Sequence, residues 1–267
     1  MELVRRWLEI LGAPELAADL AALPGRDPYA SGPGSPRGIQ SAEWSLREGS
    51  AGVRFAWNVD RDHVSTAEVF AVLARWTTLS PEVRSLLRLL QGVHLQVGRD
   101  GPRSKLYIYA RGAPPVTLQR VGEVLGVHVP PEAAFAAIDL VSDLALKHYV
   151  EGPRGELGAW LREHGAASLA DWSDSLPADL GTPRSAFVAS VRRTTSAHSD
   201  VTIHANIREA PERLAQLAGA DLGARAASAF RDAARLGLRL CPTHVSCLLP
   251  PSGVPIRTVY YRLEPLR

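Results

Sequence analysis

Lysine is almost missing from this chain. Of its 30 basic residues only Lys105 and Lys147 are lysine, and the rest are arginine. That skew fits a GC-rich genome better than a function. Cysteine is scarce too, with two residues in 267, which excludes a disulfide scaffold. Both lie in "CPTHVSC" (241–247) around His244. A zinc centre needs about four ligands at recognisable spacing. Only three stand here, and a strand would point Cys247 away from His244, so buried free thiols are the expectation. No apolar run approaches the roughly 18–20 residues that cross a bilayer. The opening "MELVRRWLEILGAPELAADLAAL" carries acids and lacks the apolar core of a signal peptide. Its apolar residues recur at helical spacing. The net charge of +2 argues neither for nor against a nucleic-acid partner, and none is expected. These absences predict a cytoplasmic protein without a membrane or nucleic-acid partner.

What is present is a repeat. Residues 42–48 "AEWSLRE" and 52–59 "GVRFAWNV" read as two strands about a short turn. Residues 92–97 and 103–110 flank "GRDG", a strong hairpin signal. Residues 134–141 and 144–150 flank "SD", residues 184–194 and 201–208 flank a polar turn, and residues 243–249 and 255–263 flank "PPSG". Helical stretches lie between these five hairpins. One runs to Trp76, and one starts at Ser80 as N-cap with Pro81 at its first position. Another ends at Gly126, and two more stretches precede each of the fourth and fifth hairpins, "APERLAQLAGA" among them. The helix–hairpin unit recurs with a period of roughly 40–60 residues, and such regularity decides architecture. Residues 25–41 read as a flexible Pro/Gly/Ser loop, and the whole chain, 1–267, as one domain.

Ten antiparallel strands left open would expose two edges; closing them into a barrel removes both. The helices must then pack outside, against an apolar outer strand face. The predicted class is α+β: a ten-stranded antiparallel barrel of five hairpins surrounded by helices. The alternation agrees. Val53, Phe55 and Trp57 oppose Arg54 and Asn58; Leu144, Leu146 and Val150 oppose Lys147 and Tyr149. Val201, Ile203, Ala205 and Ile207 oppose Thr202, His204, Asn206 and Arg208. Lys105, Tyr107 and Tyr109 likewise share a face. Only "IRTVYYRL" (256–263) lacks clean alternation, which leaves the direction of Tyr260 and Arg262 open.

A lumen of cations and phenols suits a ligand with an anionic end and a cationic or fragile end. Arg54, Lys105 and Lys147 can clamp a diphosphate through charge-assisted hydrogen bonds, with Tyr107 and Tyr149 donating to the same phosphates. The rings of Tyr107, Tyr149 and Tyr109 can shelter a carbocation and exclude the water that quenches it. That is the chemistry of prenyl transfer.

The repeated hairpins, the pairs Lys105/Tyr107 and Lys147/Tyr149, and "EWSLREGSAGVRFAWNVD" resemble the aromatic prenyltransferases with the ABBA barrel. The resemblance is to the dimethylallyltryptophan synthase and cyanobactin peptide branches. It implies transfer of a prenyl group, dimethylallyl or longer, from a prenyl diphosphate to an electron-rich aromatic acceptor, either indole or tryptophan or an aromatic side chain of a natural-product peptide. It implies that Glu43 is the base that takes the acceptor's proton and that Arg54 binds diphosphate. Tyr109, His204, Asn206 and Tyr260 complete the shield and acceptor pocket. The protein is expected to act as a monomer and to bind no metal through its own residues.

The chain departs from that pattern. Ala145 stands where tryptophan-modifying relatives usually place a further basic residue, and His204 and Asn206 stand where they tend to have Gln and Tyr. Fewer cations leave room for Mg2+ to assist diphosphate binding. His204 reads as a hydrogen-bonded lumen residue rather than a proton carrier. The acid-rich motifs of terpene synthases are absent, which argues against an α-helical prenyl-chain enzyme. The rival reading is a non-catalytic barrel that binds an amphipathic anion or a peptide. It would keep the lumen cations but has no need of Glu43 opposite them.

Overall fold

In a computed structural model, the described residues are 2–25, 42–50, 54–109, 117–140, 144–152, 154–175, 187–194, 199–207, 220–250 and 254–266. The expected loop at 26–41 lies outside them, as do residues 210–219 of the "APERLAQLAGA" helix, residues 184–186 and the predicted turn at 195–198.

Ten strands form one closed barrel. They are β1 (Ala42–Arg47), β2 (Arg54–Asn58), β3 (His94–Asp100), β4 (Arg103–Tyr109), β5 (Phe135–Leu140), β6 (Ala145–Gly152), β7 (Phe187–Thr194), β8 (Ser199–Asn206), β9 (Leu238–Leu249) and β10 (Ile256–Pro265). Each pairs antiparallel with its sequence neighbours, and β1 pairs with β10 to close the ring. No strand of the ring is left as an edge. The described helices are α1 (Glu2–Ile10), α2 (Glu15–Ala21), α3 (Thr66–Trp76), α4 (Pro81–Leu89), α5 (Thr117–Leu125), α6 (Arg154–Glu163), α7 (Ala170–Ser175) and α8 (Ala220–Arg235). None is long and apolar enough to cross a membrane.

Local chemistry sets the element ends. Ser65 caps α3 by a capping box: its hydroxyl accepts from the Glu68 backbone N–H at 3.3 Å, and the Glu68 carboxylate accepts from the Ser65 N–H at 2.7 Å. Ser80 caps α4 with Pro81 at its first turn. The β3–β4 hairpin turns at Gly101, whose φ of +60° favours glycine.

The core lies between barrel and helices. Trp44, Trp57, Leu106, Ile108, Ile138, Val245 and Val259 point outward and are buried against Trp7, Leu8, Val69, Leu73, Leu86 and Val121. Trp7 of α1 meets Trp44 of β1 edge to face, with centroids 5.3 Å apart. The inner face carries the complementary set. Arg54, Gln96, Asp139, Thr202, Ser246 and Thr258 are buried polar residues of the strands. The register between β9 and β10 shifts between Tyr260 and Tyr261. The shift skips Thr243 of β9, whereas β10 keeps an unbroken register with β1, so Tyr260, across from Ser45, faces the lumen while Tyr261 is fully buried in the outer core. Both cysteines are free; Cys247 is buried and Cys241 partly so.

Candidate active site

The barrel encloses a cavity of about 500 Å³. Glu43, Arg54, Lys105, Tyr107, Tyr109, Lys147, Tyr149, His204 and Tyr260 all line it. Asn206 does not, although β8 pairs it in register with His244, which does.

The cations form one part of the lining. Arg54 donates from Nε to the Ser45 hydroxyl at 3.2 Å, and its Nη1 is paired with the Asp100 carboxylate. Asp100 also takes Lys105 Nζ at 3.1 Å and stands 3.6 Å from Arg47 Nη1. Lys105 reaches a second carboxylate, Asp139, at 3.3 Å. Lys147 sits differently. Its ammonium donates to the Thr202 hydroxyl at 3.0 Å and lies 5.2 Å from the centre of the Tyr149 ring. Register places Arg192 of β7 across from Lys147.

Desolvation is felt by Arg54, Lys147 and the two phenols Tyr107 and Tyr149. Burial, with the Arg47 charge next in weight, pulls the Arg54 guanidinium down to about 10. Burial, then the charge of Lys105, holds the Lys147 ammonium well below its ordinary range. Burial pushes the Tyr107 phenol up and the Tyr149 phenol well up, so both remain O–H donors at neutral pH.

The second part of the lining is aromatic and continuous. His94 lies 5.2 Å from Tyr109, Tyr109 stacks on Phe135 at 5.2 Å, and Phe135 stacks on Tyr149 at 4.0 Å. Tyr149 is then 5.8 Å from His204, and His204 is 5.8 Å from Tyr260. Six rings from β3, β4, β5, β6, β8 and β10 thus form a belt. Their π faces can attract a cation that no carboxylate in the belt would trap. Burial, then the charge of Lys147, keeps the His204 imidazole well below its usual range, so it is neutral. The expected hydrogen bond at His204 is not found: its Nε2 is buried and has no partner among the described residues. Rings flank it on both sides and bring no hydrogen-bonding group to that nitrogen.

Small residues shape the wall beneath Glu43. β1 pairs Glu43 with Ala56 of β2, which faces Gly98 of β3. A Cβ at Gly98 would stand 2.7 Å from the Phe55 carbonyl oxygen and 3.3 Å from the Tyr107 ring. Gly98 is therefore what lets Tyr107 lie against the barrel wall.

Sequence reasoning missed Asp100, Asp139, Arg47, Gln96, His94 and Phe135. Gln96 is buried and accepts the Tyr109 hydroxyl at 2.9 Å. Among the described residues no group of three or more His, Cys, Asp or Glu is placed to hold a metal ion.

No protein-family model matches the chain, and no curated protein does. Solved structures do. The prenyltransferase PriB in its apo form superposes with a TM-score of 0.65 at 16% identity, covering 97% of this chain and 94% of that one. The 5-dimethylallyl tryptophan synthase of Streptomyces coelicolor, solved with DMASPP and Trp, superposes at 0.63 with 18% identity, covering 97% and 92%. The 6-dimethylallyltryptophan synthase of Micromonospora olivasterospora superposes at 0.60 with 20% identity, covering 97% and 95%. The chain has the barrel fold of the ABBA-type aromatic prenyltransferases.

Proposed function

We propose that the protein is an aromatic prenyltransferase that moves a dimethylallyl or longer prenyl group from its diphosphate to an electron-rich aromatic acceptor. The observation that carries this reading is the division of one cavity into a cation cluster and an aromatic belt, with Glu43 on the same wall. Arg54, Lys105 and Lys147 bind the diphosphate and offset the charge that grows on it as the allylic C–O bond breaks. Tyr107 and Tyr149 donate to the phosphates through their protonated hydroxyls. The rings of Tyr149, Phe135 and Tyr109 face the allyl cation and exclude water. The acceptor ring attacks, and Glu43 takes the proton released on bond formation.

The similar structures from Streptomyces coelicolor and Micromonospora olivasterospora were solved with a dimethylallyl diphosphate analogue and tryptophan. They support an indole acceptor such as tryptophan; an aromatic side chain of a peptide is the other acceptor this reading admits. The same reading takes residues 1–267 as one domain that works as a monomer in the cytoplasm, where free thiols such as Cys241 and Cys247 persist.

The test is incubation of the chain with dimethylallyl, geranyl and farnesyl diphosphates and a panel of indoles, phenols and tryptophan-containing peptides, with and without Mg2+, read by mass. A product heavier by one prenyl unit is expected. Donor binding without any prenylated product would contradict the enzyme and favour a barrel that only binds.

A further inference from the structure

The donor end of the cavity holds negative as well as positive charge. Asp100 is in contact with Arg54, Lys105 and Arg47 at once, and Asp139 with Lys105. The cluster is mostly out of water: side-chain exposure is 6% for Arg54, 11% for Asp100, 14% for Lys105 and 5% for Asp139. A cluster built only to seize an anion has no need of two carboxylates. Three cations converging on one point, Arg54 and Lys105 mostly buried and Arg47 partly so, would, however, repel each other without them.

We propose that Asp100 is a built-in counter-ion of the donor site: a positioning residue that holds Arg54, Lys105 and Arg47 together while the site is empty and gives them up to an incoming diphosphate. This rests on the donor-site reading above. A phosphate oxygen seeks the same donors that Asp100 occupies, the Arg54 Nη1–H and the Lys105 ammonium. Asp100 and the ligand therefore compete. The site keeps its shape without ligand, and the carboxylate returns to the cations when diphosphate leaves. Affinity is sacrificed for preorganisation and for release of the inorganic diphosphate product. Asp139 does the same more weakly through Lys105.

The sign of this prediction is opposite to that of any clamp residue. Inorganic diphosphate is titrated calorimetrically into the full chain and into Asp100→Asn and Asp139→Asn, without divalent metal and again with Mg2+. Asp100→Asn should bind about tenfold tighter or more, from the loss of one like charge at contact distance in a partly desolvated site. Asp139→Asn should tighten by about threefold on the same ground. The empty Asp100→Asn protein should melt below wild type and gain more than wild type on adding diphosphate. A loss of packing alone cannot produce tighter binding. Equal or weaker binding by Asp100→Asn, with wild type binding normally, overturns the proposal. So does a loss of binding seen only with Mg2+, which would make Asp100 a metal ligand. If Asp100→Asn does not fold, unchanged or weakened binding by Asp139→Asn overturns it. If neither wild type nor variant binds diphosphate, the donor-site reading itself fails and takes the inference with it.

Discussion

The two lysines of this chain occupy equivalent places in successive hairpins, each two residues before an inward tyrosine, yet they meet opposite surroundings. Lys105 is held by two carboxylates, Asp100 and Asp139. Lys147 donates to a hydroxyl, that of Thr202, and lies beside the Tyr149 ring. Burial and the neighbouring Lys105 both disfavour its charge. One motif has thus produced a cation that belongs to the resting structure and a cation whose charge is best stabilised once an anion arrives. The difference teaches that alternation fixes where a side chain points, while its electrostatics are set by residues that other strands bring across from it.

Four outcomes break or sharpen that contrast. The largest concerns Glu43, which should act on neither lysine. Glu43→Gln is expected to bind a non-hydrolysable donor analogue within about twofold of wild type but to prenylate its acceptor about 10²–10⁴-fold more slowly. Paired calorimetry and product assays check this. If turnover is unchanged on every accepted substrate, Glu43 leaves the mechanism and the first hairpin supports the fold alone.

Next comes the division of labour between the lysines. Lys105→Met removes a charge that two buried carboxylates rely on. It should cost about 3 kcal/mol of stability, the low end for breaking a buried pair, because Asp100 keeps Arg54 and Arg47. Lys147→Met should leave stability unchanged or raised, since it removes a desolvated ammonium. It should nonetheless weaken donor-analogue binding by about 1.5–3 kcal/mol. Denaturant unfolding and calorimetry on the two variants give a crossed pattern if the contrast is real. Equal losses of stability would dissolve it.

A smaller effect is expected at Gly98. Gly98→Ala presses a methyl group on the Phe55 carbonyl and the Tyr107 ring. Overpacking of this kind costs about 1–3 kcal/mol and should turn Tyr107 away from the phosphates. Weaker donor binding together with a lowered melting point would support this. A variant with wild-type binding would show that the Tyr107 position does not matter to the donor.

Much of the fold and part of the site were legible beforehand, for identifiable reasons. The period-two pattern of the strands separates Leu106 and Ile108 from Lys105 and Tyr107 without knowledge of any neighbour, and the five turn signals count the hairpins. Ring closure then follows from the need to pair edges. The carboxylates were not legible. Asp100 sits in "GRDG", where an aspartate reads as turn chemistry. Only its pairing with Arg54 across β2 and β3 reveals a lumen residue. Asp139 lies in "AFAAIDLV", which reads as an apolar run, although its parity with Ala137 and Phe135 would have placed it inward. The aromatic belt has the same origin. Phe135 joins Tyr109 to Tyr149 through the β4–β5 register, a pairing between hairpins that no turn signal specifies. Tyr260 was ambiguous because a second tyrosine, Tyr261, follows it and Arg257 shares the parity of Val259 and Tyr261, which blurs the polar–apolar contrast of a strand that alternates without a break against β1.

The central claim is that the cavity holds a cation prepared for diphosphate, and proton uptake tests it most directly. Lys147 is depressed well below its ordinary range in the empty site. An anion at contact distance raises that value, so between the two values binding must draw a proton from solution. A donor analogue titrated at a series of pH values from about 6 to 10, in buffers of different ionisation enthalpy, should show net proton uptake over part of that series in wild type, and the uptake should vanish in Lys147→Met. Binding without uptake in wild type, or the same uptake in Lys147→Met, would contradict the account.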